Sequence, residues 1–374
     1  MNKNLARNAL VVLAVTASLL LAGCGDKEPV RIGFLGGVSG RVADLGISGR
    51  NAAQLAVDLA NQKGGIDGRK IELLVRDDEQ NPDVARQRLK ELADAKVAAV
   101  IGPMTSSIAV AVLPLIEQHK LLTISPTCTA NELGGKDDHF LRVVDTARVY
   151  ADLAARYQYQ TQGLRKAVLI VDARNKAYSA SWAGDFRRSF EAAGGKVLAE
   201  LSFSSGDDAG LAGLAADALK LGPDGVVLIG NSVDAALLTQ HLRRRAPDIK
   251  LGTAEWAATE RYVELSGKAA EGVVMAQFFD RSSALPAYLD FRQKYRERFG
   301  EEPGFGSVTA YDAANVLIES MSRHPRLSPR EAVMAIRRFQ GVQGSIQFDP
   351  NGDAARDVFV TVIREGKFVV VPRS

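Results

Sequence analysis

The sequence predicts an α/β protein made of two doubly wound lobes, each built on a parallel sheet. Short β-rich runs alternate with longer amphipathic runs, a pattern typical of parallel strands joined by crossover helices. The pattern restarts after Val144, as if one unit had been used twice. The chain has 374 residues, and even without residues 1–23 it exceeds the length of a typical single domain.

The first lobe is expected to begin with a strand at 30–35. Apolar residues then recur at helical spacing over 52–60, and the glycine pair at 64–65 ends that helix. The following elements alternate in the order strand 70–75, helix 82–94, strand 98–101, helix 107–119 and strand 121–124. Such alternation places the carboxyl ends of the strands at one edge of the sheet.

The second lobe repeats this alternation from residue 147. Its predicted elements are helix 147–159, strand 167–171, helix 179–193, strand 196–203, helix 210–219, strand 225–229, helix 233–245, strand 251–253 and strand 272–275. The rest of the chain is predicted to form helices 286–299, 307–323 and 329–338 and β-like runs 344–348, 358–364 and 367–371. We therefore expect lobe 1 to comprise 30–145 with 278–344, and lobe 2 to comprise 146–277 with 345–374.

The N-terminal residues have the architecture of an export signal. Two basic residues precede an uncharged apolar run of roughly 14 residues, shorter than the roughly 20 that a membrane-spanning helix needs. The run ends in Leu-Ala-Gly-Cys at 21–24, which resembles a bacterial lipobox. We expect residues 1–23 to be a lipoprotein signal peptide, Cys24 to carry the lipid and 24–29 to form a tether. An ordinary cleaved signal with an incidental cysteine is the alternative.

Charge and cysteine content argue against nucleic-acid binding and against a disulfide framework. Removal of the signal takes Lys3 and Arg7 from 47 basic residues and leaves all 44 acidic ones, so the mature chain is nearly neutral. The arginine run at 243–245 lies at a predicted helix end, where it complements the helix dipole. With Cys24 lipidated, Cys128 has no partner for an intramolecular disulfide.

The sequence lacks the motifs of common enzyme classes. No G-x-G-x-x-G, P-loop, H-E-x-x-H or G-x-S-x-G string is present, and the four histidines are scattered without the spacing of metal ligands. Cys128 has no predicted base beside it, which argues against a nucleophile. Asp77 and Asp78 follow a strand, where adjacent carboxylates cap a turn more often than they bind a metal. We expect no enzymatic activity, no cofactor and no metal.

Three loops of the first lobe combine small residues with hydroxyls. They cover 36–40, 102–107 and 125–129, and each follows a predicted strand. In open parallel sheets ligands bind beyond the carboxyl ends of the strands, where helix N-termini present unpaired N–H groups. Hydroxyls and amides there hold a carboxylate without a full positive charge. The alternative, for a serine such as Ser106 or Ser107, is that it only caps its helix.

The sequence resembles the branched-chain amino acid binding proteins over essentially the whole mature chain. The run GGIDGRKIELLVRDDEQNP at 64–82 is similar to the usual first-lobe run of that family. VIGPMTSS at 100–107 and LLTISPTCT at 121–129 resemble its two carboxylate-holding loops, and YDAANVL at 311–317 is similar to one of its helices. The resemblance implies a periplasmic binding protein-like type I fold with a three-crossover hinge, closure around the ligand, and delivery to an ABC permease.

The resemblance also implies roles for individual residues. It places Ser106, Thr127 and Thr129 at the carboxylate of an amino acid. Glu255, in LGTAEWA, stands where the family has the acid that meets the ligand's ammonium group. Tyr178 matches a second-lobe aromatic residue that closes over the ligand. As bare sequence features, Glu255 is compatible with a surface carboxylate and Tyr178 with a core or rim tyrosine.

The side-chain half of the expected pocket departs from the family. Leu45 and Ser232 stand where branched-chain binders tend to present aromatic residues, while Trp256 adjoins Glu255. We therefore expect a periplasmic, lipid-anchored protein that captures an amino acid or related small polar solute other than leucine for an ABC permease. The alternative is a ligand sensor of the same fold that signals through a membrane receptor or regulator.

Overall fold

The computed structural model describes residues 27–372. The expected signal peptide and the expected lipidation site, Cys24, lie outside the described residues. Within 27–372, no helix combines the length and the apolar character needed to cross a membrane. Two separate sheets, both largely parallel, confirm the predicted two-lobe α/β fold.

The first segment forms a five-stranded parallel sheet with three helices. Its elements are β1 (Val30–Gly36), α1 (Ala43–Gln62), β2 (Ile71–Asp77), α2 (Pro82–Asp94), β3 (Ala99–Ile101), α3 (Ser106–His119), β4 (Thr123–Ser125) and β5 (Phe140–Arg142). The strand order is β2-β1-β3-β4-β5. β1 is buried at six of its seven positions because helices cover both faces of a parallel sheet.

The second segment repeats this construction. Its elements are α4 (Ala147–Gln160), β6 (Lys166–Asp172), α5 (Lys176–Ala192), β7 (Lys196–Phe203), α6 (Asp208–Lys220), β8 (Gly225–Ile229), α7 (Ser232–Arg245), β9 (Lys250–Thr253), α8 (Glu260–Ser266) and β10 (Val274–Gln277). Asn231 caps α7, since its side-chain oxygen accepts hydrogen bonds from the N–H groups of Val233 and Asp234. The carboxyl ends of these strands face the first lobe.

The third segment returns to the first lobe and then to the second. Its elements are α9 (Pro286–Phe299), α10 (Phe305–Arg323), α11 (Pro329–Ile336), β11 (Arg338–Gly341), β12 (Gly344–Phe348), β13 (Ala354–Ala355), β14 (Phe359–Arg364) and β15 (Lys367–Val370). α10 packs along α1 in the first lobe. β14 and β15 add antiparallel strands to the second sheet, whose order is β15-β14-β10-β9-β8-β6-β7.

The three-stranded sheet of β11, β12 and β13 includes residue 345, where we expected the chain to return to lobe 2. That position falls inside β12, which pairs with β11. Next along the chain, Asp353 forms a bridge with Arg142 at the end of β5, and its carboxylate lies 2.6 Å from Arg142 Nε. Because these contacts attach residues 344–355 to the first sheet, we propose that the chain re-enters the second lobe after Ala355.

The last predicted helix is shorter than expected. The pattern predicted a helix over 329–338, but α11 ends at Ile336 and β11 begins at Arg338. Arg337 between them adopts φ +59°, in the left-handed region. A residue in this conformation terminates a helix, and the amphipathic pattern does not reveal it.

We place the three crossings between the lobes at 143–146, 278–285 and 356–358. Arg356, in the third crossing, contacts the other two. Its Nε donates to the carbonyl of Val143 at 2.5 Å, and its guanidinium lies over the ring of Phe278, 5.3 Å from the centroid. Its Nη2 forms an ion pair with Asp312 of α10 at 2.6 Å. Both partners of this pair are buried, so the hinge is held by a desolvated charge pair.

Candidate ligand-binding site

A small cavity lies between the two lobes. The first lobe supplies the loops after β3 and β4 and the starts of α1 and α10, and the second supplies the start of α5 and the loop after β9. The cavity is lined by Leu45, Met104, Thr105, Ser106, Thr127, Asn175, Tyr178, Glu255, Trp256 and Phe305. It therefore sits beyond the carboxyl ends of both sheets, where open α/β sheets bind ligands.

Ser106 and Thr127 form the hydroxyl-bearing wall of the first lobe. Thr127 Oγ1 donates to the carbonyl of Met104 at 2.6 Å, and Ser106 Oγ accepts from the N–H of Ala130 at 3.2 Å. These bonds tie the two loops together and fix both hydroxyls. Ser106 is also the first residue of α3, so its N–H has no acceptor within the helix. Because the Thr127 hydroxyl already donates its proton to Met104, the donors left for an anionic group such as a carboxylate are the hydroxyl and the N–H of Ser106.

Glu255 forms the opposite wall. It follows β9 in a short 3-10 helix, Glu255–Ala257, and is only 7% exposed. Trp182 Nε1 donates to Glu255 Oε2 at 2.9 Å, and the Thr129 hydroxyl donates to Oε1 at 3.3 Å across the cleft. Burial raises the pKa of Glu255 to about 7 despite these hydrogen bonds. A cationic group in the cavity would compensate the charge that burial disfavours.

Aromatic side chains close the second-lobe side of the cavity. The rings of Tyr178 and Trp256 meet edge to face with centroids 5.6 Å apart. Burial raises the pKa of Tyr178 well above its usual value, and its hydroxyl makes no hydrogen bond of normal geometry. The Tyr150 hydroxyl is likewise buried without a hydrogen bond, and nearby Glu255 contributes to its raised pKa. Tyr150 does not line the cavity, whereas Tyr178 does, so the Tyr178 hydroxyl, beside Glu255, is the one that a ligand or water would pair.

The groups weighed as enzymatic or metal-binding candidates have structural roles. Cys128 is fully buried, its thiol contacts the Pro103 carbonyl at 3.2 Å, and burial raises its pKa to about 12. Asp77 and Asp78 accept backbone N–H groups of the turn after β2. Among residues 27–372, no group of three or more His, Cys, Asp or Glu side chains is placed to hold a metal ion.

The family model described as periplasmic binding protein matches residues 29–367. The chain belongs to this family. Among its relatives, the leucine-, isoleucine-, valine-, threonine-, and alanine-binding protein of Pseudomonas aeruginosa is 22% identical, and the match covers 90% of this chain and 91% of the relative.

Solved structures share the fold of this periplasmic binding protein. The branched-chain amino acid transporter substrate binding protein of Streptococcus pneumoniae, in complex with isoleucine, superposes with a TM-score of 0.83 at 24% identity, over 92% of this chain and 99% of that one. An ABC transporter solute binding protein from R. palustris, in complex with benzoate, gives a TM-score of 0.81 at 21% identity, over 92% and 95%. The predicted type I fold and the family resemblance are confirmed.

This periplasmic binding protein brings most of the predicted site residues to one cavity. The lining residues among them are Leu45, Ser106, Thr127, Tyr178 and Glu255. Thr129 lies behind this surface and contacts Glu255. Ser232 does not line the cavity either, and its hydroxyl donates to Asp44 Oδ2 at 2.7 Å. The expected side-chain wall is thus formed without it.

Asp44, Ser232 and Thr259 form a contact between the lobes that we call the clasp. Asp44 belongs to α1 of the first lobe, and its Oδ2 accepts hydrogen bonds from Ser232 Oγ at 2.7 Å and Thr259 Oγ1 at 3.0 Å. Nearby, Arg41 of the first lobe pairs with Asp234 and Asp208 of the second. The lobes are therefore closed on each other around the cavity.

Four lining residues were not predicted from the sequence: Met104, Thr105, Asn175 and Phe305. Met104 and Thr105 lie in the same loop as Ser106, so the loop was predicted but these two members were not. Asn175 follows β6, and the residues between that strand and α5 carry no hydroxyl of the kind that marks the first-lobe loops. Phe305 begins α10, far along the chain, and reaches Leu45 because Gly306 lets the two helices approach closely: a Cβ on Gly306 would lie 2.7 Å from Leu45 Cδ1.

Proposed function

We propose that this chain is an extracytoplasmic solute-binding lipoprotein of an ABC transporter that captures an α-amino acid by closure of its two lobes. The observation that carries the proposal is the buried Glu255 carboxylate facing the hydroxyl wall of Ser106 and Thr127 across one cavity. An α-amino acid is a zwitterion, and its two charges match these two walls.

The electrostatics of the cavity favour a ligand with both charges over a simple acid. The hydroxyl and N–H of Ser106 suit a carboxylate, whereas burial raises the pKa of Glu255, so a cationic group beside it would stabilise its charged form. An ammonium group that meets Glu255 would form a charge-assisted hydrogen bond, worth about 1.5 to 3 kcal/mol. Two relatives whose names state amino acids as ligands support this assignment.

Closure of the two lobes brings the ligand contacts of both lobes together. Ser106 and Thr127 belong to one lobe and Glu255 to the other, so the open protein presents only half of the ligand contacts at a time. A solute held first by the hydroxyl wall would recruit Glu255 and Tyr178 as the lobes close. The clasp and the contacts of Arg41 then hold the closed form, which a permease would recognise.

The test is isothermal titration calorimetry on residues 25–374 after unfolding and refolding to remove carried ligand. The panel pairs each α-amino acid with its N-acetylated form and with its deaminated acid. Binding of at least one free amino acid, with the N-acetylated and deaminated partners at least about tenfold weaker, supports the proposal. Binding of deaminated acids as tight as that of the amino acids would contradict it, and the benzoate complex of the R. palustris neighbour makes this outcome worth including.

The lipid anchor at Cys24 belongs to the same proposal and needs its own test. The full-length chain is expressed in a bacterial host and labelled with an alkyne-bearing fatty acid. We expect the wild type to be labelled and membrane-associated and Cys24→Ser to lose both properties, with Cys128→Ser as the control that keeps them. Equal labelling of wild type and Cys24→Ser would contradict lipidation at this residue.

A further inference from the structure

We propose that the solute is an α-amino acid whose side chain ends in a carboxamide, and that a second chamber of the cleft receives this group. The inference rests on the proposed function, because it assumes that the α-amino and α-carboxyl groups occupy the cavity between Ser106 and Glu255. It assigns the side-chain specificity to Asp172 and Arg174 on the second lobe.

The second chamber adjoins the first. It lies between the lobes and shares three wall residues with the ligand cavity, namely Thr105, Asn175 and Trp256. The ligand cavity is the smaller of the two and carries Leu45, Met104 and Phe305 on its apolar side. A side chain that extends past Trp256 and Asn175 therefore leaves apolar surroundings and enters a polar chamber.

Asp172 supplies an unpaired acceptor in the wall of this chamber. It is the last residue of β6 and is 1% exposed. Its Oδ1 accepts backbone N–H groups from Arg174 at 2.9 Å and Ser205 at 3.2 Å, whereas its Oδ2 is buried without a hydrogen bond. A buried carboxylate oxygen without a partner is costly, so a donor is expected to reach it when the site is filled.

The neighbouring carboxylate, Asp234, has no such unpaired oxygen. Asp234 Oδ2 accepts from Ser205 Oγ and from Asn231 Nδ2, each at 2.5 Å, and its Oδ1 is bonded to Arg41. Both of its oxygens are thus occupied within the protein. Asp172 alone of the two keeps an oxygen for an incoming group.

Arg174 places a donor in the same chamber. Its Nη1 donates to the carbonyl of Ser205 at 3.3 Å, and the side chain is otherwise exposed along the chamber wall. A guanidinium has five N–H donors, so most of them remain for a ligand. Gln80 is less available because its amide is already bonded to Asp78 and Thr105.

A carboxamide is the side-chain group that satisfies both residues. Its N–H₂ donates to Asp172 Oδ2, and its carbonyl accepts from Arg174. A carboxylate at the same place would set like charges against each other at Asp172, and a branched aliphatic side chain would leave the carboxylate oxygen unpaired. The geometry thus favours glutamine-like solutes over glutamate and over leucine.

The experiment compares glutamine, glutamate, leucine and alanine as probes by calorimetry on wild type and on Asp172→Asn. This substitution keeps an oxygen for the N–H groups of Arg174 and Ser205 and replaces the free acceptor by a donor. Asp217→Asn, an exposed site on α6, is the control with the same change of charge. Circular dichroism and thermal unfolding verify that each variant is folded.

We expect the wild type to bind glutamine at least about tenfold more tightly than leucine or glutamate, a difference that one lost charge-assisted hydrogen bond produces. Asp172→Asn should lose this preference, weakening glutamine and improving glutamate while leaving alanine unchanged. Leucine as tight as glutamine in wild type, or an equal effect of Asp172→Asn on glutamine and alanine, overturns the inference but not the proposed function. Failure of every free α-amino acid to bind overturns both.

Discussion

Thr129 and Glu255 meet across the cleft, with Thr129 Oγ1 3.3 Å from Glu255 Oε1. The threonine belongs to the loop after β4 in one lobe, and the glutamate follows β9 in the other. Trp182 of α5 binds the second oxygen of the same carboxylate. The orientation of Glu255 therefore depends on groups from both lobes, which links the ligand contact proposed for Glu255 to closure.

Trp182→Phe should weaken amino-acid binding without unfolding the second lobe. The substitution removes the Nε1 donor at 2.9 Å from Glu255 but keeps a ring that stacks on Phe186, whose centroid lies 5.4 Å away. Loss of one hydrogen bond to a charged group costs about 1.5 to 3 kcal/mol, or roughly tenfold or more in affinity. Calorimetry measures this effect. Phe186→Leu is the control, expected to lower the thermal midpoint while sparing affinity, and the reverse pattern would contradict the role of Trp182.

Amino-acid affinity should rise with pH through the region of pH 7. Burial raises the pKa of Glu255 to about 7 from an ordinary value of 4.5, so in the ligand-free closed form the carboxyl is largely protonated below pH 7. The ammonium group of the ligand favours the ionised form of Glu255, so binding near pH 6 should release a proton from Glu255. Affinity should therefore fall as the pH is lowered further. Titrations in two buffers of different ionisation enthalpy detect that proton.

The same raised pKa has the opposite effect on stability. Because the folded protein binds this proton more tightly than the unfolded chain, the contribution of Glu255 to stability is most favourable below about pH 4.5 and declines as pH rises to about 7. Glu255→Gln should remove the contribution of Glu255 to the pH dependence of affinity and to the pH dependence of stability. A wild-type affinity that is flat from pH 5.5 to 8.5 would count against an ionised Glu255 at the ligand.

Asp44→Ala should shorten the lifetime of the ligand complex. It removes the acceptor of both clasp hydrogen bonds and leaves the cavity lining intact. Each lost bond is worth about 1 kcal/mol or more, so we expect dissociation several-fold to a hundredfold faster with little change in the association rate. Stopped-flow fluorescence measures both rates. Asp58→Ala, on α1, tests for nonspecific effects, and unchanged dissociation of the Asp44 variant would show that the clasp does not hold the closed form.

Arg356→Met should destabilise the protein strongly. The substitution leaves Asp312, which is 2% exposed, as an uncompensated buried charge, a change that costs about 3 to 5 kcal/mol. Urea denaturation gives the free energy of unfolding. The double variant Arg356→Met with Asp312→Leu should recover part of the loss, because it removes the orphaned carboxylate. If the free energy of unfolding lost by the double variant equals the sum of the losses of the two single variants, Arg356 and Asp312 are not energetically coupled.

The elements with strong periodicity were predictable from sequence, and their ends were not. The alternation that defines β1 through β4 and β6 through β10 follows from hydrophobic runs, because buried parallel strands and amphipathic helices differ in pattern. The three-residue strand β5 and the short helix α8 were not predicted. α1 begins at Ala43, nine residues before the predicted apolar repeat at Ala52, since glycine and polar residues interrupt the apolar pattern of its first turns. Conformation, rather than pattern, ends α11 at Arg337.

The candidate site was predictable on the side that resembles the family and not on the side that departs from it. Ser106, Thr127 and Glu255 lie in recognisable motifs, and the structure places them around one cavity. Ser232 was expected there by correspondence alone, but it begins α7 and meets Asp44 instead. Phe305 depends on the packing of α10 against α1, a long-range contact that no local pattern encodes.

The most direct test of the proposed function is a cycle that removes the ligand's amine and the Glu255 carboxylate separately and together. Calorimetry gives the affinities of wild type and Glu255→Gln for a bound amino acid and for its deaminated acid. We expect deamination to cost wild type about tenfold or more and to cost Glu255→Gln much less, so that the two changes are strongly coupled. Equal costs in both proteins would contradict a contact between Glu255 and the ligand's ammonium group.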